Sequence, residues 1–180
     1  MKYFSTVKLL TLFLLCVFLL PAGKVFATTN VRVLIAEESS PISVKTSGAI
    51  FVKDLGSKKK YSVKKAGTFK ISTTAKQVQA GSVKSTKGVQ IYLKNKKDTF
   101  TVNGVEYKGN LLINPAAKTQ IVEVLPLEEY LYGVLPYEMS YSWPIEALKA
   151  QAVAARTYTL KSIENTKNNP FDLYSDTRSQ

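Results

Sequence analysis

The chain contains no histidine, and its 180 residues include a single cysteine, Cys16. Without an imidazole there is no Ser-His-Asp triad, no HExxH zinc site and no histidine proton shuttle. Cys16 lies inside an apolar N-terminal run, which argues against disulfides, thiolate metal sites and a cysteine nucleophile. Arginine is scarce too, with only Arg32, Arg156 and Arg178. Reading base edges, or gripping phosphates with a planar fork, favours arginine, so nucleic acid is not an expected partner. Chemistry must rest on carboxylates, lysine, tyrosine or hydroxyls. With 45% hydrophobic and 21% charged residues the composition is that of a globular chain.

Lys2 and Lys8 precede the uncharged run Leu9 to Leu20, which is followed by Pro21-Ala22-Gly23 and then Val25-Phe26-Ala27. A basic start, an apolar centre and a small residue before a cut after Ala27 form the layout of a secretory signal peptide over residues 1–27. The alternative is a retained N-terminal membrane anchor, although the run falls short of the ~20 apolar residues of a span. Residues 28–180 then carry 22 basic against 13 acidic residues, a net charge of +9. An exported, lysine-rich chain suggests diffuse attraction to a polyanion such as a membrane surface or an anionic wall polymer. Lys58-Lys59-Lys60, Lys64-Lys65 and Lys96-Lys97 read as solvated hairpin tips.

The expected fold class is α+β. Residues 28–106 form a Lys-rich β region with strands at 31–36, 49–54, 68–72, 89–93 and 99–102. Two more strands, at 110–114 and 119–124, follow before Pro126 closes the β-rich stretch. Their even spacing suggests a meander or small barrel. Leu127, Tyr130, Leu131 and Val134 recur at helical spacing, with Glu128 and Glu129 in the first turn, so a short helix is expected over 127–134. A loop containing Glu138 follows. Pro144 then opens a long Ala-rich helix over 144–164. Its alanines surround the whole circumference, so its middle is expected to be buried. Gln151 and Arg156 stand out there, and Arg156 needs a carboxylate partner or an anionic ligand. Residues 171–180 read as a loop entering another element.

Among the acids, Glu37, Glu38, Asp54, Asp98 and Glu106 fit strand ends or turns, and Glu123 is expected to face water from its strand. Glu128, Glu129 and Glu146 are accounted for by helix N-termini, and Glu164, Asp172 and Asp176 by the frayed end. Glu138 differs, because Pro136, Tyr137, Met139, Tyr141 and Trp143 flank it. Apolar neighbours desolvate a carboxyl group and favour its protonated form, while aromatic faces suit the C–H faces of sugar rings. The bland alternative is a loop acid that caps the next helix.

The stretch 127–160, and above all EALKAQAVAARTY at 146–158, resembles the signature of the SpoIID/LytB family, the stage II sporulation protein D domain and its amidase-enhancer relatives. Weaker agreement runs from Tyr107-Lys108-Gly109 to the DTRSQ end, so residues 107–180 resemble the N-terminal part of the family's domain, which continues past the last residue. The resemblance implies peptidoglycan remodelling by lytic transglycosylation of peptide-stripped glycan strands. It makes Glu138 the acid/base and ties Arg156 to activity; Tyr137, Tyr141, Trp143 and Gln151 would contact substrate. The family's zinc site falls beyond this sequence, so no cofactor is identifiable and no metal ligand is assigned. The competing implication is a non-catalytic enhancer that binds glycan and stimulates an N-acetylmuramoyl-L-alanine amidase. A third reading is a passive wall-binding module built of the lysine-rich strands.

Overall fold

The computed structural model of the protein describes residues 29–175. The expected leader over 1–27 and the last five residues lie outside them. The first strands in chain order are β1 (Asn30–Glu38), β2 (Ile42–Thr46), β3 (Ile50–Asp54), β4 (Lys60–Val63), β5 (Gly67–Thr74) and β6 (Gln77–Ala80). They continue as β7 (Val83–Ser85), β8 (Val89–Leu93), β9 (Phe100–Val102), β10 (Val105–Tyr107), β11 (Asn110–Ile113) and β12 (Thr119–Pro126). Two helices follow, α1 (Leu127–Glu138) and α2 (Ile145–Asn165), and then the two-residue strand β13 (Leu173–Tyr174). The architecture is α+β, as expected. No helix among the described residues is long and apolar enough to cross a membrane.

The strands form neither a simple meander nor one barrel. A seven-stranded sheet has the order β13-β1-β12-β11-β8-β3-β4, and a six-stranded sheet the order β10-β9-β2-β5-β6-β7. The chain passes back and forth between them because each sheet has one apolar face to cover. Strict alternation in β2 sends Ile42, Val44 and Thr46 inward. Ile42 and Val44 meet Ile50, Val52, Ile91, Leu111, Ile113 and Ile121 of the other sheet in one core with Ile71, Val78 and Phe100. Each such side chain contributes about 1.5–3 kcal/mol relative to an exposed one. β9 and β10 join through Asn103-Gly104, both at positive φ, the two-residue turn whose twist suits a hairpin.

Glu123 is a correction: it does not face water but is 8% exposed. It shares the inward face of β12 with Ile121, and its Oε1 accepts the backbone N–H groups of Lys108 and Gly109 at 3.1 and 2.7 Å. A side chain on Gly109 would sit 2.6 Å from Glu123 Cγ, so only glycine permits this approach. Burial raises the Glu123 pKa above the usual 4.5 despite those two donors, and Glu129 adds to the rise. A carboxyl group with a raised folded-state pKa stabilises the fold most below its unfolded value, and that contribution fades as pH climbs through the folded one. Denaturant midpoints should therefore decline as pH rises above 4.5, and Glu123→Gln should flatten the decline. An unchanged slope in the variant would assign it to other groups.

Asp172 is a second correction, since its side chain is only 1% exposed. It pairs with Arg32 of β1, accepting from the Arg32 backbone N–H at 2.8 Å as well as from the guanidinium. The same guanidinium donates to the carbonyls of Asn169 and Thr166 just past α2. Helix α2 has no basic residue in its last turn, so a cation from a distant strand meets its negative end. β13 then lies parallel to β1, and Phe171 and Tyr174 meet edge to face at 4.9 Å.

Candidate functional site

Helix α1 leaves β12 directly at Pro126, and the Leu127 N–H donates to the Thr29 carbonyl at 2.9 Å. The acids Glu128 and Glu129 occupy its first turn, where the helix dipole favours them. The helix runs on to Glu138, four residues past the end expected from spacing, and includes Pro136. Proline has no N–H for the carbonyl four residues back, here that of Tyr132. That turn is exposed, so water can serve the carbonyl and the break is tolerated. Glu138 is thus the last residue of α1, not a loop residue.

Six residues connect α1 to α2, so the two helices lie antiparallel. Leu127, Leu131 and Ala155 form their buried seam, with Tyr130 and Leu135 packed against it. Two polar links bracket the seam. Near the start of α1, Glu128 accepts two parallel bonds from Arg156, Nε at 2.8 Å and Nη2 at 2.7 Å. At the far end, Gln151 Nε2 donates to Glu138 Oε2 at 2.7 Å. Arg156 finds the carboxylate partner its setting calls for, but that partner is Glu128 and not Glu138. The Arg156 bond holds the Glu128 carboxyl below its usual pKa, and Glu128 in turn raises that of the guanidinium.

The aromatic surroundings expected for Glu138 are present in sequence but open in space. Tyr137 and Tyr141 are 91% and 92% exposed, Trp143 is 54% exposed, and Glu138 itself is exposed. These side chains point away from the apolar seam, so they form an open array rather than a desolvated pocket. Between Glu138 and Trp143, the Ser142 N–H and the Trp143 N–H return to Ser140 Oγ and to its carbonyl, at 3.3 and 3.1 Å. Helix α2 is likewise not buried in its middle. Ala155 and Thr159 are buried, whereas Val153, Tyr158 and Leu160 are exposed, because only one face of α2 meets α1 and the sheet.

Two residues of this site escaped sequence reasoning. Glu128 looked like a dipole-stabilised helix start, and only the paired helices show that it fixes Arg156. Tyr130 looked like a core position. It is half-buried, and burial first, then the charges of Glu138 and Tyr158, raise its phenol pKa, so it stays protonated. A zinc ion does not fit the described residues, which gather no group of three or more potential ligands.

If the Glu128–Arg156 link sets how α1 and α2 meet, its loss should disturb Glu138 at the other end of the seam. Any activity that depends on Glu138 should fall about 10- to 100-fold in Glu128→Ala. Exchanging the charges, Glu128→Arg with Arg156→Glu, should recover part of it. Equal losses in both the single and the exchanged variants would reduce the link to surface decoration.

Residues 116–180 match the family described as Stage II sporulation protein, SpoIID. An uncharacterized protein of Brachyspira hyodysenteriae is 52% identical over 86 residues, which is 47% of this chain and 23% of that one. Stage II sporulation protein D of Bacillus subtilis is 55% identical over 42 residues, covering 23% of this chain and 12% of its own length. The amidase enhancer of the same organism is 58% identical over 36 residues, 20% of this chain and 5% of that protein. The chain thus spans less than a quarter of the length of these curated relatives. No solved structure matches. The paired helices, with Glu138, Gln151 and Arg156, lie inside the matched segment, and over residues 116–180 the chain is similar to the SpoIID family, stage II sporulation protein D and the amidase enhancer among its relatives.

Proposed function

We propose that the protein remodels peptidoglycan outside the cytoplasmic membrane, as a lytic transglycosylase that cleaves MurNAc–GlcNAc bonds of peptide-stripped glycan strands. The observation that supports this reading is a carboxylate at the end of α1, met by a neutral amide rather than by a cation, beside three open aromatic side chains. Glycosidases that use water need two carboxylates. An intramolecular route needs one. Protonated Glu138 gives its proton to the glycosidic oxygen as the C1–O bond breaks. The C6 hydroxyl of the same MurNAc attacks C1, and its proton passes to the Glu138 carboxylate. The product is a 1,6-anhydro end, and the acid is regenerated. Gln151 holds one oxygen of Glu138 and leaves the other for the substrate, Tyr137, Tyr141 and Trp143 offer faces to sugar rings, and Arg156 acts through Glu128 as a positioning residue.

The similarity to the amidase enhancer favours a second reading, a glycan-binding partner that stimulates an N-acetylmuramoyl-L-alanine amidase without cleaving glycan. Incubating the protein with amidase-treated glycan and resolving the products separates the two. New anhydro-muramoyl ends support the enzyme. Faster amidase action on intact peptidoglycan, without such ends, supports the enhancer.

A further inference from the structure

The net positive charge of residues 28–180 lies in one part of the fold. Residues 50–87, which make β3 to β7, hold ten lysines and one acid, Asp54. The rest of residues 28–180 holds twelve basic and twelve acidic residues, so the whole excess of +9 lies in this segment. None of the ten lysines belongs to an ion pair among the described residues. Lys53 and Lys60 even stand directly opposite each other on β3 and β4, an arrangement that costs stability.

The same strands enclose a cleft of about 470 Å³. β4 is the edge of one sheet and β7 the edge of the other, and the cleft opens between them. Its floor is Ile50, Val52 and Phe69, and Lys60, Tyr61 and Val63 form one wall. Every residue of β4 is exposed, so this wall faces solvent. Asp54, at the end of β3, accepts hydrogen bonds from Ser85 of β7, from Ser57 and from the Gly56 N–H. These donors, Ser57 foremost, hold its carboxyl well below the usual carboxylate range. The lone acid of the segment is therefore spent in tying the two sheets together beside the cleft.

We propose that this cleft, with Lys60 in its wall and the lysines that flank β4 in sequence, binds a linear phosphodiester polymer, with a polyol or sugar unit against Tyr61 and Val63 and the phosphates on Lys58, Lys59, Lys60, Lys64 and Lys65. The segment has no arginine, whose flat fork matches a carboxylate. Lysine presents a compact charge with rotatable donors and suits repeated phosphates without fixed register. An apolar floor beside a lysine-flanked edge strand matches a chain that alternates uncharged carbon with charge. This site is separate from Glu138 and does not depend on any reaction there, because binding is read without glycan turnover.

The test is binding of the purified protein to poly(glycerol phosphate) across a salt series. Affinity should fall steeply with salt. The triple variant Lys58→Gln, Lys59→Gln, Lys60→Gln should flatten the log–log slope by about 2. Lys149→Gln and Lys161→Gln on α2, with Lys167→Gln just past it, remove as much charge and should leave the slope unchanged. The arginine triple at 58–60 keeps the charge and should keep the slope, which separates charge loss from misfolding. Tyr61→Ala should weaken binding severalfold at an unaltered slope. Equal effects of the two glutamine triples, or no effect of Tyr61→Ala, would leave only diffuse attraction and overturn the site. Binding to anionic lipid vesicles with none to the polymer would overturn it in favour of a membrane surface.

Discussion

Replacing Asp172 by alanine is expected to cost roughly 3–5 kcal/mol of unfolding free energy, the range for stripping one partner from a buried ion pair. The carboxylate lies in the interior and takes the Arg32 backbone N–H, the Arg32 guanidinium and the Thr166 hydroxyl. Its loss leaves those donors facing each other. The backbone around it is tied into the same strap: Asp172 N–H donates to the Arg32 carbonyl, and Ser162 Oγ to the Asp172 carbonyl, both at 2.7 Å. Asp172→Asn keeps an acceptor and should cost less than alanine. Urea midpoints for the two variants and for Arg32→Met would show this ordering. A loss below about 1 kcal/mol in Asp172→Ala, the worth of an exposed pair, would mean that the strap does not hold β1 to the end of α2.

Glu138→Gln carries the largest expected effect on activity. On the transglycosylase reading, yield of anhydro-muramoyl ends from peptide-stripped glycan should fall about 10²- to 10⁴-fold, the usual contribution of a general acid/base. The amide keeps the size of the side chain and a polar group for Gln151, so the end of α1 keeps its place. Glycan sedimentation should therefore persist, and Tyr137→Ala or Trp143→Ala should weaken it instead. Undiminished product in Glu138→Gln would remove the acid/base role from this residue and assign the cleavage to another group.

The strands that the sequence makes legible are those with a buried apolar alternation or run, such as Ile50–Asp54, Val89–Leu93 and Thr119–Pro126. Of those that escape it, β2, β6 and β7 carry the alternation over only three to five residues, and β4 and β13 lack it. β4 buries no residue at all, and β13 is two residues long and owes its existence to β1. β10 could have been found from Asn103-Gly104, a hairpin signal in its own right. Glu123 was misread because alternation states which residues share a face and not which face is covered. Asp172 was misread because its partner lies 140 positions away.

At the site, the segment from Leu127 to Leu160 is written almost wholly in local terms: helical spacing, acids at the first turns, a proline opening the second helix. Those features settled that two helices meet near Glu138 and that Arg156 must find an anion, but not that the first helix runs on to include Glu138. Only the tertiary structure decided that the anion is Glu128, that Gln151 is the group touching Glu138, and that the aromatic side chains stand open. Short-range patterns fix helices because each turn is bonded within itself. Which carboxylate an arginine reaches depends on how two helices pair and on the sheet that anchors them, and those contacts join residues far apart in the chain.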